Sequence, residues 1–416
     1  MNKIRVNMGD ILLCLSNAQS IIAPAISRHH QQVAYLSYRL AEQLEMPLEE
    51  RRNIYLAALI HDFGALSLEE KLEIIESEPL DLHNHAFKGA KLFSDFYPLK
   101  TPSELVKYHH FPWKYGYGAS FMGKEVPVGS HLIHLADRTC TSFHSSQNVL
   151  SQSSEVMQKM QQLSGSIFVP KHTEALRVLG KREYIWLDLM SQDPVHKLPS
   201  GMMTTVPLEI DDIVDLAHIF SYIIDFRSRF TARHSVGVAK TAEKLAELVG
   251  FSPDECKMML VAGYLHDLGK LAIENRILEK PDKLDSQEIN QIRAHTYYTY
   301  QLLDVIPQFK TINAWASFHH ERLDGTGYPF HLKGESLPLG SRIMAVADVF
   351  TALTERRPYR EAMQDTQAIV ILRSMIGHAL DGRVVGLLID HLQEINELRA
   401  MSQEKAGEDY DRFLQE

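Results

Sequence analysis

The chain repeats itself, and what it repeats is a pattern of histidines and aspartates. RHHQQVA at 28–34 aligns with RHSVGVA at 233–239, and LIHDFG at 59–64 aligns with YLHDLG at 264–269 at the same offset. After a short slip in register, His85 falls on His295, KYHH (107–110) on SFHH (317–320) and LADR (135–138) on VADV (346–349). GSIFVP (165–170) is a weaker counterpart of GHALDG (377–382). Self-similarity on this scale means two copies of one supersecondary unit, each roughly 180 residues long. The fold must therefore be one that can be built twice, and each time it must gather the same separated imidazoles and carboxylates.

The periodicity of the copies is helical. Val33, Leu36, Leu40 and Leu44 recur at helical spacing within 29–46, and 49–64 buries Ile54, Ala57, Ala58 and Leu59 behind a charged start, ending near Gly64. Further helices are expected around 68–76, 83–95, 102–110, 128–143 and 171–190. Few segments alternate like strands, so the chain reads as all-α. DPVHKLPSGMMTTVPLEID (193–211) has three prolines and no sustained period, so it reads as a linker on which Met202 and Met203 are free to pack against a domain face. The expected boundaries are a first copy at 1–195, a linker at 196–210 and a second copy at 211–416.

Composition removes several classes of function. A net charge of -10 argues against a partner that is a nucleic-acid polymer, so a phosphate ligand needs a local source of positive charge. Cys14, Cys140 and Cys256 are far apart and form no CxxC pair, so buried free thiols are expected rather than disulfides or a zinc knuckle. ILLCL is too short to span a membrane, and Asp10 and Asn17 interrupt what would be a signal peptide. A cytoplasmic protein with no membrane span is expected.

In the second copy, GYLHDLGK (263–270), His295, HHERLDGTGYP (319–329) and VADVF with Asp348 supply imidazoles and carboxylates at separated points of a helical region. A metal site built between helices needs that arrangement. Lys270, three residues after Asp267, can face the same site and neutralise a phosphate or protonate a leaving oxygen. Glu321 and Asp324 are candidate acceptors for histidine N–H groups, and the glycines and proline of GTGYP are expected to shape the loop.

These motifs resemble the HD-GYP phosphodiesterases, a branch of the HD phosphohydrolase superfamily, over residues 215–391. The resemblance implies two tandem HD-type helical bundle domains, the first a degenerate copy. It implies that Asp267 bridges two divalent metals, with His234, His266 and Asp348 on one and His295, His319 and His320 on the other. An imidazole and carboxylate set without thiolate suits iron or manganese, with nickel or zinc left open. Relatives that hold a third metal use a glutamate where Phe230 stands here, so two metals are expected. The family pattern makes Arg357 and Arg360 phosphate-binding, while Tyr359 either stacks on a base or packs.

The implied reaction is hydrolysis of a cyclic dinucleotide: cyclic di-GMP to linear pGpG, or 3′,3′-cyclic GMP-AMP to pApG. Two other readings stand beside it, a receptor that binds without turnover and a mononucleotide phosphohydrolase. Binding of a protein partner through the GYP loop is carried over from the resemblance, and a homodimer is left open. The first copy keeps all seven candidate ligands, His29, His61, Asp62, His85, His109, His110 and Asp137. It has Ala65 in place of Lys270, HHFPWKYGYG in place of HHERLDGTGYP and no RPYR-like segment, which leaves three readings of this copy open: a structural and dimerising domain, a regulatory domain that binds metal or nucleotide, or a domain with a different hydrolytic activity.

Overall fold

The computed structural model describes residues 4–20, 28–65, 70, 74, 83–144, 147–199, 206–226, 233–280, 282–355 and 361–415. The expected helix at 68–76 lies almost wholly outside the described residues, as do Met202, Met203, Phe230, Arg357, Tyr359 and Arg360. The chain folds as two compact units, one of residues 7–207 and one of residues 208–416 joined by the N-terminal residues up to Val6. Both are helical, and among the described residues strands are no longer than two residues, such as Ser120–Phe121 paired antiparallel with Lys124–Glu125.

The first unit contains α1 (Met8–Ser20), α2 (His29–Gln43), α3 (Leu48–Ile60), α4 (His83–Ser94), α5 (Lys100–Lys107), α6 (Val128–Thr141), α7 (Val149–Gln162), α8 (Pro170–Leu179) and α9 (Glu183–Leu189). Val33, Leu36 and Leu40 of α2 are buried against α3 and α6, the face that their spacing predicts. The single helix expected at 171–190 is two helices. Gly180 ends the first, and the Trp186 indole folds back to donate to the Gly180 carbonyl at 2.8 Å, which turns the chain into α9.

The second unit contains α10 (Ile210–Asp225), α11 (His234–Val249), α12 (Pro253–Leu265), α13 (Ser286–Asp304), α14 (Lys310–Ser317), α15 (Leu339–Thr354), α16 (Asp365–Ser374), α17 (Gly382–Asp390) and α18 (Leu392–Gln415). Several of its helices start on side-chain caps. Ser252 and Glu255 form a capping box before α12, with proline at the first helical position, and Asp285 and Glu288 form another before α13. Helix α11 lies at the centre, packed on α12, α15 and α18, so its first residue, His234, starts inside the bundle.

The weak repeat at 165–170 and 377–382 is the same structure in both units. Gly165 and Gly377 each take a positive φ and donate their N–H to the carbonyl three residues on, Phe168 at 2.8 Å and Leu380 at 3.1 Å. Cys14 and Cys140 are buried free thiols as expected, whereas Cys256 is only half-buried. No described helix is long and apolar enough to cross a membrane.

Candidate metal centres

In the second unit α12 stops at Leu265, so His266 and Asp267 stand on the turn that follows. Gly269 fixes where that turn goes. A Cβ there would lie 1.9 Å from the His295 carbonyl oxygen, so only glycine lets the turn press against α13. Thr299 of α13 seals the contact, accepting from the Gly269 N–H at 2.9 Å and donating to the His266 carbonyl at 3.1 Å.

The two oxygens of Asp267 consequently face two different groups. Oδ2 is 3.1 Å from His266 Nε2 and 3.9 Å from His234 Nε2, while Oδ1 is 3.3 Å from His295 Nε2. His234 Nε2 is 3.3 Å from Asp348 Oδ1. His234, His266 and Asp348 thus form one cluster, and His295, His319 and His320 form another, with Asp267 between them. His266, His295 and His319 turn Nδ1 to the backbone carbonyls of Gly263, Ile292 and Ala316, which leaves Nε2 to face the centre.

Burial is the largest influence on Asp267, Asp348, His295, His319 and His320. It would raise the Asp267 carboxyl, but His266, Lys270 and His295 hold it well below the usual carboxylate range. Burial likewise acts first on Asp348, which His234, His320 and His319 hold well below that range. Burial pushes His295 down to about 3 and also lowers His319 and His320, so these rings are neutral near pH 7. Charged carboxylates thus stand beside the neutral rings of His295, His319 and His320. His266 Nε2 and Asp267 Oδ1 are buried with no hydrogen bond of good geometry among the described residues, a costly state that a bound cation would relieve. The donor set fits a divalent metal.

Lys270 reaches Asp267 Oδ2 at 2.5 Å. Beside the second cluster lies a cavity of about 430 Å³ lined by His319, His320, Arg293, Tyr328 and Leu380, in which the Arg293 guanidinium sits 4.6 Å from the Tyr328 ring centre. Two expectations are corrected at this loop. Glu321 accepts from the Phe330 and Leu332 N–H groups at 2.6 and 3.0 Å, and Asp324 accepts from the Thr326 N–H at 2.8 Å. Both carboxylates therefore shape the GTGYP loop instead of orienting a histidine. Gly327 serves the same loop, since a Cβ there would lie 2.4 Å from the Arg322 nitrogen.

The first unit assembles the same cage. Asp62 Oδ2 is 3.1 Å from His61 Nε2 and Oδ1 is 3.3 Å from His85 Nε2, while His29 Nε2 is 3.0 Å from Asp137 Oδ1. The clusters are His29, His61 and Asp137 on one side and His85, His109 and His110 with Asp62 on the other. Nε2 of His29, His61 and His109, Oδ1 of Asp62 and Oδ1 of Asp137 are buried without well-formed hydrogen bonds among the described residues. Gly64 repeats the role of Gly269, with a Cβ that would lie 2.0 Å from the His85 carbonyl oxygen.

Three features escaped the sequence reading. Arg138 donates to Asp137 Oδ2 at 2.7 Å, where the second unit has Val349. His30 stands against His61 with ring centres 5.2 Å apart, where the second unit has Ser235. Glu355 lies 2.9 Å from His234 Nδ1. The first two were visible as differences between the aligned copies, HH against HS and ADR against ADV. The third had no signal, because seven positions on a helix and its exit do not reveal which ring a carboxylate reaches.

The HD domain family matches the chain twice, over residues 26–142 and 218–384. The 3′3′-cGAMP-specific phosphodiesterase 1 of Vibrio cholerae is 30% identical over 404 residues, covering 94% of each chain. The same organism's 3′3′-cGAMP-specific phosphodiesterase 3 is 33% identical over 261 residues, 62% of this chain and 56% of that relative. The cyclic di-GMP phosphodiesterase response regulator RpfG of Xanthomonas campestris is 39% identical over 168 residues, 40% of this chain and 44% of its own. The crystal structure of the cyclic GMP-AMP specific phosphodiesterase V-cGAP3 of V. cholerae has the same fold, with a TM-score of 0.65 at 23% identity over 93% of this chain and 97% of that one. A match along nearly the whole length, on a fold that builds the His/Asp cage twice, shows that the chain belongs to the HD-GYP family of metal-dependent HD-domain phosphodiesterases, with two HD domains in tandem.

Proposed function

We propose that the second unit hydrolyses a 3′,3′-cyclic dinucleotide to the linear form, pApG from 3′,3′-cyclic GMP-AMP or pGpG from cyclic di-GMP. The observation that carries this is the split of the Asp267 carboxylate between two buried histidine clusters beside an open cavity. Two divalent cations in those clusters, iron or manganese by the donor set, would supply a nucleophile from water at neutral pH and a clamp for the phosphodiester. His234, His266 and Asp348 would hold one, His295, His319 and His320 the other, and Asp267 both.

The chain's own groups do the rest. Lys270, partly exposed beside the shared carboxylate, would donate a proton to the leaving oxygen or offset phosphate charge. Arg293, held over the Tyr328 ring at the cavity wall, would meet the second phosphate. In the same reading Arg357, Arg360 and Tyr359 complete the phosphate and base contacts. The first unit would hold metal but lacks a lysine at Ala65, so it would not cleave the cyclic substrate.

The relative that matches 94% of this chain is named as specific for 3′3′-cGAMP, whereas the cyclic di-GMP phosphodiesterase RpfG matches over 168 residues. This favours 3′,3′-cyclic GMP-AMP as the better substrate. The test is anaerobic turnover of both dinucleotides by the full chain loaded with Fe²⁺ or Mn²⁺, with products separated by chromatography. Linear pApG forming faster than pGpG is expected. Tight binding of either dinucleotide without turnover would support a receptor instead, and turnover of mononucleotides alone would place the chain with the mononucleotide phosphohydrolases.

A further inference from the structure

His234 is held differently from the neighbouring ligands. His266, His295 and His319 rest Nδ1 on backbone carbonyls, as do His61 and His109 in the first unit. His234 rests Nδ1 on the Glu355 carboxylate, 2.9 Å from Oε1. A carboxylate at Nδ1 fixes the tautomer that leaves Nε2 free and makes the ring a stronger donor than a carbonyl does.

Glu355 is held in turn by the C-terminal helix α18. The Gln403 amide donates to Glu355 Oε2 at 3.2 Å, and the Gln403 side-chain oxygen accepts from Arg399 Nη1. Arg399 donates from Nε and Nη2 to Asn396 Oδ1 at 3.0 and 2.6 Å, and the Asn396 amide donates to Asp365 at 3.0 Å. Arg399 and Gln403 are 6% and 7% exposed, while Asn396 and Asp365 are half-buried, so the links made by Gln403 and Arg399 are costly to leave unmade.

Gly237, one helical turn after His234, makes the reach possible. A Cβ there would lie 2.5 Å from Gln403 Nε2, so any larger residue displaces the amide. Among the described residues the first unit shows none of this. Gln32 stands at the place of Gly237 and donates its own amide to the Leu189 carbonyl at 3.2 Å, and His144 stands at the place of Glu355. The HD domain match ends at residue 384, before α18 begins.

We propose that α18 is a positioning element for the metal centre: through Gln403 and Glu355 it fixes His234 and so sets how tightly the second unit holds metal. This rests on the metal-centre reading above. The test titrates Mn²⁺ alone by chelator competition into the full chain carrying His61→Ala and Asp62→Ala, which silences the first unit. Glu355→Gln, Gln403→Ala and Gly237→Ala are compared in that background, and the melting of each is recorded without metal. Mn²⁺ affinity is expected to fall about 10- to 100-fold for Glu355→Gln and by about three- to tenfold for the other two. Gly237→Ala favours the helix and displaces the amide without removing it, so it decides the matter if Gln403→Ala fails to fold. Gln403→Ala and Gly237→Ala proteins that bind Mn²⁺ as tightly as the parent, whatever their melting temperatures, would reduce α18 to a packing helix and overturn the proposal. A parent that takes up no Mn²⁺ would overturn the metal-centre reading as well.

Discussion

The two units differ little in the cage and much in what surrounds it. Asp62 and Asp267 each sit 3.1 Å from the preceding histidine and 3.3 Å from the histidine of the facing helix. Yet Asp137 shares its second oxygen with Arg138 where Asp348 is followed by Val349, and Ala65 replaces Lys270. Phe111, packed with Tyr108 and Val126, replaces the loop-organising Glu321. The cage depends on helix ends, on backbone carbonyls that orient the rings, and on a glycine pressed against the facing helix. None of those needs Lys270 or the Glu321 loop, so a copy can change its surroundings and keep the clustered histidines and aspartates.

The largest contrast is expected at Lys270. Lys270→Ala should lower turnover by about 10²- to 10⁴-fold, the usual reach of a general acid. Bound Mn²⁺, read by elemental analysis, should be unchanged. A parallel loss of metal would mean that the lysine belongs to the cage and that the two units differ less than proposed.

A smaller effect is expected from Arg138→Ala in the first unit. Asp137 is 1% exposed, and stripping a buried carboxylate of its ion partner costs about 3 kcal/mol. The metal-free first unit should melt earlier, and Mn²⁺ should restore much of the loss by supplying the missing positive charge. An unchanged melting curve would remove Arg138 from the comparison.

The smallest contrast is in acid. Burial pushes His109, His131 and His172 of the first unit down to about 4, and His218 and His295 of the second to about 4 and 3. Unfolded imidazoles take up protons below about pH 6.5, whereas these folded ones stay neutral until about pH 4. The unfolded chain therefore binds more protons in that window, and stability falls as pH drops through it. Both units should lose stability together between pH 6.5 and 4 in metal-free melts. A unit whose melting did not move would break the likeness.

The repeat and the helical class were legible in the sequence, and the structure gathers the seven histidine and aspartate positions that the repeat marks in each copy. Sequence reasoning missed what depends on three-dimensional neighbours. Glu321 looks like a ligand's partner in HHERLDG, but its carboxylate is spent on the backbone of the loop it starts. The break at Gly180 was hidden because the residues on either side are equally helical, and only the Trp186 contact turns the chain. Glu355 and Gln403 lie far from the motif they support, and no spacing connects them to His234.

The most direct measurement is a paired substitution, Asp267→Ala and Asp62→Ala, each in the full metal-loaded chain and assayed for linear product from 3′,3′-cyclic GMP-AMP. The account predicts that Asp267→Ala abolishes turnover while Asp62→Ala retains it. Hydrolysis that survives Asp267→Ala but fails in Asp62→Ala would move the chemistry to the first unit and contradict the central claim.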